Sequence, residues 1–261
     1  MKYSKEELAA TDARAEIGLG DDGPIPDLLR VVEDDFEISV MLMELPPKSI
    51  AGAYVRYRGQ PFILVNTRDA TVRQRFTLAH ELGNHQLGHG STFDKRITWD
   101  DPNANESAAS RFAAAFLMPR DAIGHWFAAR DEPDIDLETL VRISVSFGPS
   151  PQAVRYRLEN IRRLKDTRHI ARLDSELDEK QHLRLRDELG LRDFPDSITL
   201  AKKTRTLMPS KMQRQVLSAL ERELLEPKHA AARLRTTVED IAILRQSVDI
   251  ESEEDEALSS L

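Results

Sequence analysis

The run Arg73-Gln74-Arg75-Phe76-Thr77-Leu78-Ala79-His80-Glu81-Leu82-Gly83-Asn84-His85 has the pattern of an amphipathic helix that carries chemistry. Phe76, Leu78, Ala79 and Leu82 supply a side for burial, and His80-Glu81 supplies a metal ligand and a base. In zinc helices of the H-E-x-x-H type, residues i and i+4 stand about 40° apart on a helix that turns about 100° per residue. Two imidazoles then grip one ion, and the Glu beside the first takes a proton from the attacking water. Position i+4 here is Asn84. A carboxamide oxygen is a neutral, weak zinc ligand where imidazole is a strong one.

The neighbouring histidines do not restore the motif by spacing alone. His85 is i+5 from His80, about 140° around the helix, so it faces the Glu81 side. His85 and His89 are themselves i and i+4, in His85-Gln86-Leu87-Gly88-His89. That shifted register puts Gln where the base belongs, and Gln cannot take a proton from water. It describes a metal site without a general base.

The runs RQRFTLAHELG (73–83) and NESAASRFAAAFLMP (105–119) together resemble the ImmA/IrrE family of metallopeptidases, over roughly residues 10–160. The resemblance implies a small mixed, gluzincin-like peptidase domain, followed in some members by helix-turn-helix-like and other C-terminal segments. With the strands and helices read from the residues, the expected fold class is α+β, a peptidase domain with a short β-sheet and an H-E-x-x-H-type helix followed by a helical C-terminal domain. It implies a zinc cofactor, with His80 as first ligand, Glu81 as catalytic base, Asn84 in the second ligand's place and Glu106 as third ligand. Ser110 stands where the family usually has Asn. The implied activity is that of an endopeptidase acting on a helix-turn-helix transcriptional repressor in a phage or stress-response pathway. Asn84 leaves three explanations open: an engineered substitution that traps an inactive form, a naturally silent peptidase that binds repressor or DNA, or a site completed by another residue.

Composition sets the surroundings. At 261 residues the chain has room for one good-sized domain and a smaller one. Hydrophobic residues at 40% and charged residues at 31% describe a soluble protein without a membrane-spanning run. The start, Met1 to Glu7, lacks the apolar core of a signal peptide. The absence of cysteine excludes disulfides and thiolate zinc sites and fits a reducing cytoplasm, so zinc would be held by His and carboxylate. A net charge of −8 argues against broad nucleic-acid binding. The charge is uneven, however. Arg155, Arg157, Arg162, Arg163, Lys165, Arg168 and Arg172 form a basic stretch, read as a solvated helix face or as a surface for DNA or a partner. Residues 249–261 form an acidic tail, expected to be disordered.

Periodicity and turn residues give the remaining elements. Helices are expected over 3–18 and 28–33, and strands over 36–43, 52–57 and 61–65. The metal helix is expected over 72–87, with 66–71 as its cap and Gly88 and Gly90 as its end. Glu106 opens an Ala-rich helix closed by Met118-Pro119. A hairpin edge beside the metal helix is where an extended substrate would lie, and the loop 91–103 would rim the site. Helices 137–147 and 151–163 around Gly148-Pro149-Ser150 have a helix–turn–helix outline. Residues 1–165 are read as the peptidase domain and 166–248 as the helical one. Lys165–Arg172 is read as linker, with helices over 173–191, 211–225 and 229–248, the last starting anew at the capping pattern Thr236-Thr237-Val238-Glu239.

Overall fold

The structure is a computed structural model that describes residues 3–46, 50–92, 103–132, 134–192, 194 and 208–242. It is a mixed α+β fold in which a three-stranded sheet of order β1-β3-β2 lies against helices. The strands are β1 (Ser39–Met43), β2 (Gly52–Tyr57) and β3 (Gln60–Asn66). β3 is central, parallel to β1 in register Val40↔Ile63 and antiparallel to β2 in register Tyr54↔Ile63. Val40, Leu42, Ile63 and Val65 alternate into the core, as a period of two requires for a half-buried strand.

Helix α1 (Lys5–Glu16) begins at Ser4, whose side chain accepts from the Glu7 N–H. A single turn, α2 (Leu28–Arg30), capped by Asp27 as its sequence position suggests, runs directly into a π-helical turn, Val31–Asp35. Helix α3 (Thr71–Gln86) is the one expected to carry metal ligands, and α4 (Ala104–Leu117) is the Ala-rich one. The N-cap of α3 is Ala70, which offers no side-chain bond. Gln74 reaches back instead, its Nε2 donating to the Thr67 and Asp69 carbonyls at 3.2 and 2.6 Å.

α3 lies on β2 and β3 with α4 on its other side, and α4 is in turn covered by α1. The α3–α4 approach depends on Gly83. A Cβ there would stand 2.9 Å from Phe112 Cδ1 and 3.2 Å from the Ala109 carbonyl. Ala109, Ala113 and Ala114 are fully buried, so small side chains on α4 allow the helices to meet closely.

α5 (Arg120–Ala128), α6 (Leu137–Phe147) and α7 (Pro151–Asn160) follow, and Gly148 at φ 96° ends α6. The stretch expected as linker is helical. Asp166 accepts from the N–H groups of Arg168 and His169 and starts α8 (Thr167–Asp178). Leu173 and Leu177 on α8 join the main core. Lys180, at φ 57°, then breaks the expected single helix and starts α9 (Gln181–Glu188).

A second, smaller core gathers Val216, Leu217 and Leu220 of α10 (Ser210–Glu221), Ala230, Ala231 and Leu234 of α11 (Pro227–Leu234), and Ile241. The restart after α11 is real: Thr237 and Asp240 cap each other reciprocally, so Asp240 rather than Glu239 completes the box. α10 is clasped to the π-helical turn. Buried Glu33 accepts from the Lys211 N–H at 2.9 Å and from Arg214 Nη1 at 2.7 Å. The acidic tail and positions 243–248 lie outside the described residues.

Candidate metal centre

Helix α3 places His80, Glu81 and Asn84 on its buried side, each at 0% exposure. α4 starts at Asn103, whose side chain accepts from the Asn105 N–H, so Glu106 sits in the first turn, where a carboxylate complements the helix dipole. The two helices bring His80 and Glu106 together, with His80 Nε2 2.9 Å from Glu106 Oε2. Ser110, one turn further along α4, lies 3.2 Å from His80 Nδ1 through its Oγ. A hydroxyl both donates and accepts, so Ser110 holds the ring in either tautomer and leaves Nε2 able to face a cation. The departure noticed at position 110 thus has a definite contact.

Asn84 is engaged in a hydrogen-bond network. Its Nδ2 donates to Glu81 Oε2 at 3.1 Å and to Thr92 Oγ1 at 3.2 Å. Its Oδ1 lies 2.8 Å from His89 Nδ1. Thr92 Oγ1 also donates to Glu81 Oε2, at 3.1 Å. Glu81 is therefore held by the residue at i+3 and by the segment that follows the helix. Its other oxygen faces the sheet: a Cβ at Gly52 would stand 2.8 Å from Glu81 Oε1 and 2.5 Å from Thr77 Cγ2. Only glycine at position 52 allows β2 to pass Glu81 this closely.

The other histidines near this helix have different partners. His85 Nδ1 pairs with the Tyr54 hydroxyl at 2.9 Å, and the two rings meet edge to face. Burial, with help from Arg56, holds the His85 pKa below its ordinary value. The spaced pair His85 and His89 therefore diverges, because α3 ends at Gln86 and His89 lies beyond it. His125 is exposed, 3.9 Å from Asp22. Burial also lowers the pKa of His89; Glu106 opposes that shift and His80 adds to it, so both act on the His89 ring.

β2 is the free-standing edge strand expected beside the helix, yet its outer side is met by the chain itself. Thr92 N–H donates to the Tyr54 carbonyl at 2.8 Å, and the Tyr54 N–H donates to Thr92 Oγ1 at 3.4 Å. The Arg56 N–H donates to Ser91 Oγ at 3.3 Å. The rest of the expected rim, 93–102, lies outside the described residues.

Zinc takes His nitrogen and carboxylate oxygen, and two such donors converge here from separate helices with an orienting hydroxyl behind one of them. The residues present fit the ion at those two positions. Among the described residues no ready-made group of three His, Cys, Asp or Glu side chains surrounds one point.

The helix–turn–helix outline is arranged differently. Arg157 of α7 is buried, its Nη2 donating to Glu7 Oε1 at 2.7 Å and its Nε to the Met118 carbonyl at 2.8 Å. Arg155 pairs with Asp174 and Glu159, and Arg163 with Glu132. These cations are turned to carboxylates of the same chain. No described helix is long and apolar enough to cross a membrane.

Residues 33–159 match the family model of the IrrE N-terminal-like domain of the M78 peptidases, a span that contains His80, Glu81 and Glu106. No curated protein matches the chain.

Proposed function

Taking residues 33–159 as an IrrE N-terminal-like peptidase domain, we propose that the protein is a zinc-dependent endopeptidase whose substrate is a helix-turn-helix transcriptional repressor. The observation that carries this reading is the convergence of His80 Nε2 on Glu106 Oε2, with the carboxylate of Glu81 one residue along the same helix. A bound zinc ion would supply Lewis-acid polarisation of the scissile carbonyl and would acidify water. His80 and Glu106 would hold it. Glu81 accepts the proton of the attacking water and returns it to the leaving amine. Asn84 and Thr92 fix the Glu81 carboxylate for that transfer by donating to its Oε2.

Gly52 keeps β2 close to Glu81, so an extended peptide running beside this strand would pass the carboxylate. A repressor with a flexible interdomain segment offers such a peptide, and a regulatory pathway of the phage or stress type is the setting that follows.

Asn84 itself favours a second reading, in which the fold is kept to bind a repressor or DNA and no bond is cut. Its carboxamide is fully engaged with Glu81, Thr92 and His89. The test is a zinc-loaded panel of purified helix-turn-helix repressors, with products read by mass spectrometry. Cleavage that falls by roughly 100- to 10,000-fold in Glu81→Gln supports the peptidase. Tight repressor binding without cleavage by the wild-type chain supports the second reading.

A further inference from the structure

We propose that His89 is the third zinc ligand of this protein, oriented by Asn84, so that the ion is held by His80, Glu106 and His89. This assignment rests on the zinc peptidase reading above and supplies the donor that Asn84 withholds.

The backbone directs His89 back to the site. The Gly88 N–H donates to the His85 carbonyl at 3.1 Å, and the His89 N–H donates to the Asn84 carbonyl at 2.9 Å. These two bonds, with Gly88 at φ +70°, are a Schellman ending, which folds the residue after the glycine over the last helical turn. The His89 ring therefore lies at the tip of the Asn84 side chain.

The hydrogen bonds also fix the chemistry of that ring. The Asn84 Nδ2 donates to Glu81 Oε2 and to Thr92 Oγ1, which places its carbonyl oxygen against His89. His89 Nδ1 then carries the hydrogen, and its lone pair is on Nε2. Metal-binding histidines characteristically donate their other ring N–H to a carbonyl or carboxylate, which orients the ring and raises its basicity. Ser110 meets His80 at Nδ1 in the corresponding place, and its hydroxyl can accept from that nitrogen once an ion takes the position of the hydrogen between His80 Nε2 and Glu106. His89 is half-buried between Gly88 and Gly90, and its side-chain torsions are the adjustment by which the set would close on an ion. His85 is unsuited to the role, because it lies about 140° around α3 from His80 and meets Tyr54 of β2.

The experiment is calorimetric titration of zinc alone into the full chain, with a competing chelator, for the wild type and for His80→Ala, His89→Ala and Asn84→Ala. Circular dichroism confirms that each variant is folded. Loss of the orienting amide in Asn84→Ala is expected to weaken zinc by about 10- to 100-fold. Loss of a ligand in His89→Ala is expected to weaken it further, toward the level of His80→Ala. A loss in His89→Ala no greater than that in Asn84→Ala overturns the assignment and leaves the peptidase reading intact. Zinc binding that is absent from the wild type, or unaffected in His80→Ala, overturns both. Should His89→Ala fail to fold, long-range proton–nitrogen spectra of the wild type decide. Zinc-dependent shifts at Nε2 of the His80 and His89 rings support the assignment, and a shift at His80 without one at His89 overturns it.

Discussion

The α3–α4 pair and the α6–α7 pair both carry polar motifs on helices, and they treat their polar side chains in opposite ways. On α3 and α4, His80 and Glu106 point into one buried place and meet each other at 2.9 Å. On α7, the arginines that would face a nucleic acid are spent inside the fold, Arg157 on Glu7 and the Met118 carbonyl, Arg155 on Asp174. A motif becomes a site where its groups converge and remain available to a ligand. It becomes scaffold where each group is already satisfied by the chain.

That contrast can be broken by substitution, starting with the largest effect. Glu7→Gln removes the carboxylate that neutralises buried Arg157 and also pairs with Arg120. A buried cation left without its partner costs about 3–5 kcal/mol, so urea denaturation should show a loss of that size at neutral pH. The pH dependence has a definite sign. Burial pushes the Glu7 pKa up, but Arg157 and Arg120 more than reverse this and hold it below the ordinary 4.5. A depressed pKa gives stability that is present above that value and lost as pH falls through the folded-state pKa. Wild-type stability should therefore fall in acid, and Glu7→Gln should flatten that limb. An acid limb of unchanged slope would remove Glu7 from the account.

Gly83→Ala sharpens the other side of the comparison. The added methyl would meet Phe112 and the Ala109 carbonyl, at an expected cost of about 1–3 kcal/mol from overpacking. Because Gly83 sets the distance between the helices that carry His80 and Glu106, zinc affinity should fall with it. A variant destabilised to that degree but with wild-type zinc affinity would show that the site tolerates a wider spacing.

Arg163→Ala should have the smallest effect. Its pair with Glu132 is exposed, and such pairs contribute about 0–1 kcal/mol. If this substitution instead abolished binding to a DNA fragment while leaving thermal stability unchanged, the α6–α7 pair would have to be reassigned from scaffold to reader.

The parts of the site that were legible in the sequence are those written in local spacing. His80 and Glu81 lie on one helix whose apolar positions are periodic, and Glu106 opens the next helix in a fixed relation to Ala109 and Ala113. What was not legible comes from contacts that helical periodicity does not encode. Thr92 reaches Glu81 and β2 from beyond the helix end. Gly52 reads as an ordinary strand residue until its closeness to Glu81 is seen. The Asn84–His89 contact required knowing that Gly88 closes the helix with a reversal.

The same logic explains the misread segment after residue 165. Ile170, Leu173 and Leu177 form a stripe at helical spacing, but dense charge around them hid it. The commitments of Arg157 were invisible for a different reason, since Glu7 lies 150 positions away in sequence.

The most direct test of the central claim is zinc per chain by elemental analysis, after chelator treatment, reloading and desalting, for the wild type beside His80→Ala. About one zinc per wild-type chain and essentially none in His80→Ala is the result expected of a site built on His80 and Glu106. A wild-type chain that retains no zinc, or a His80→Ala chain that retains as much, would contradict it.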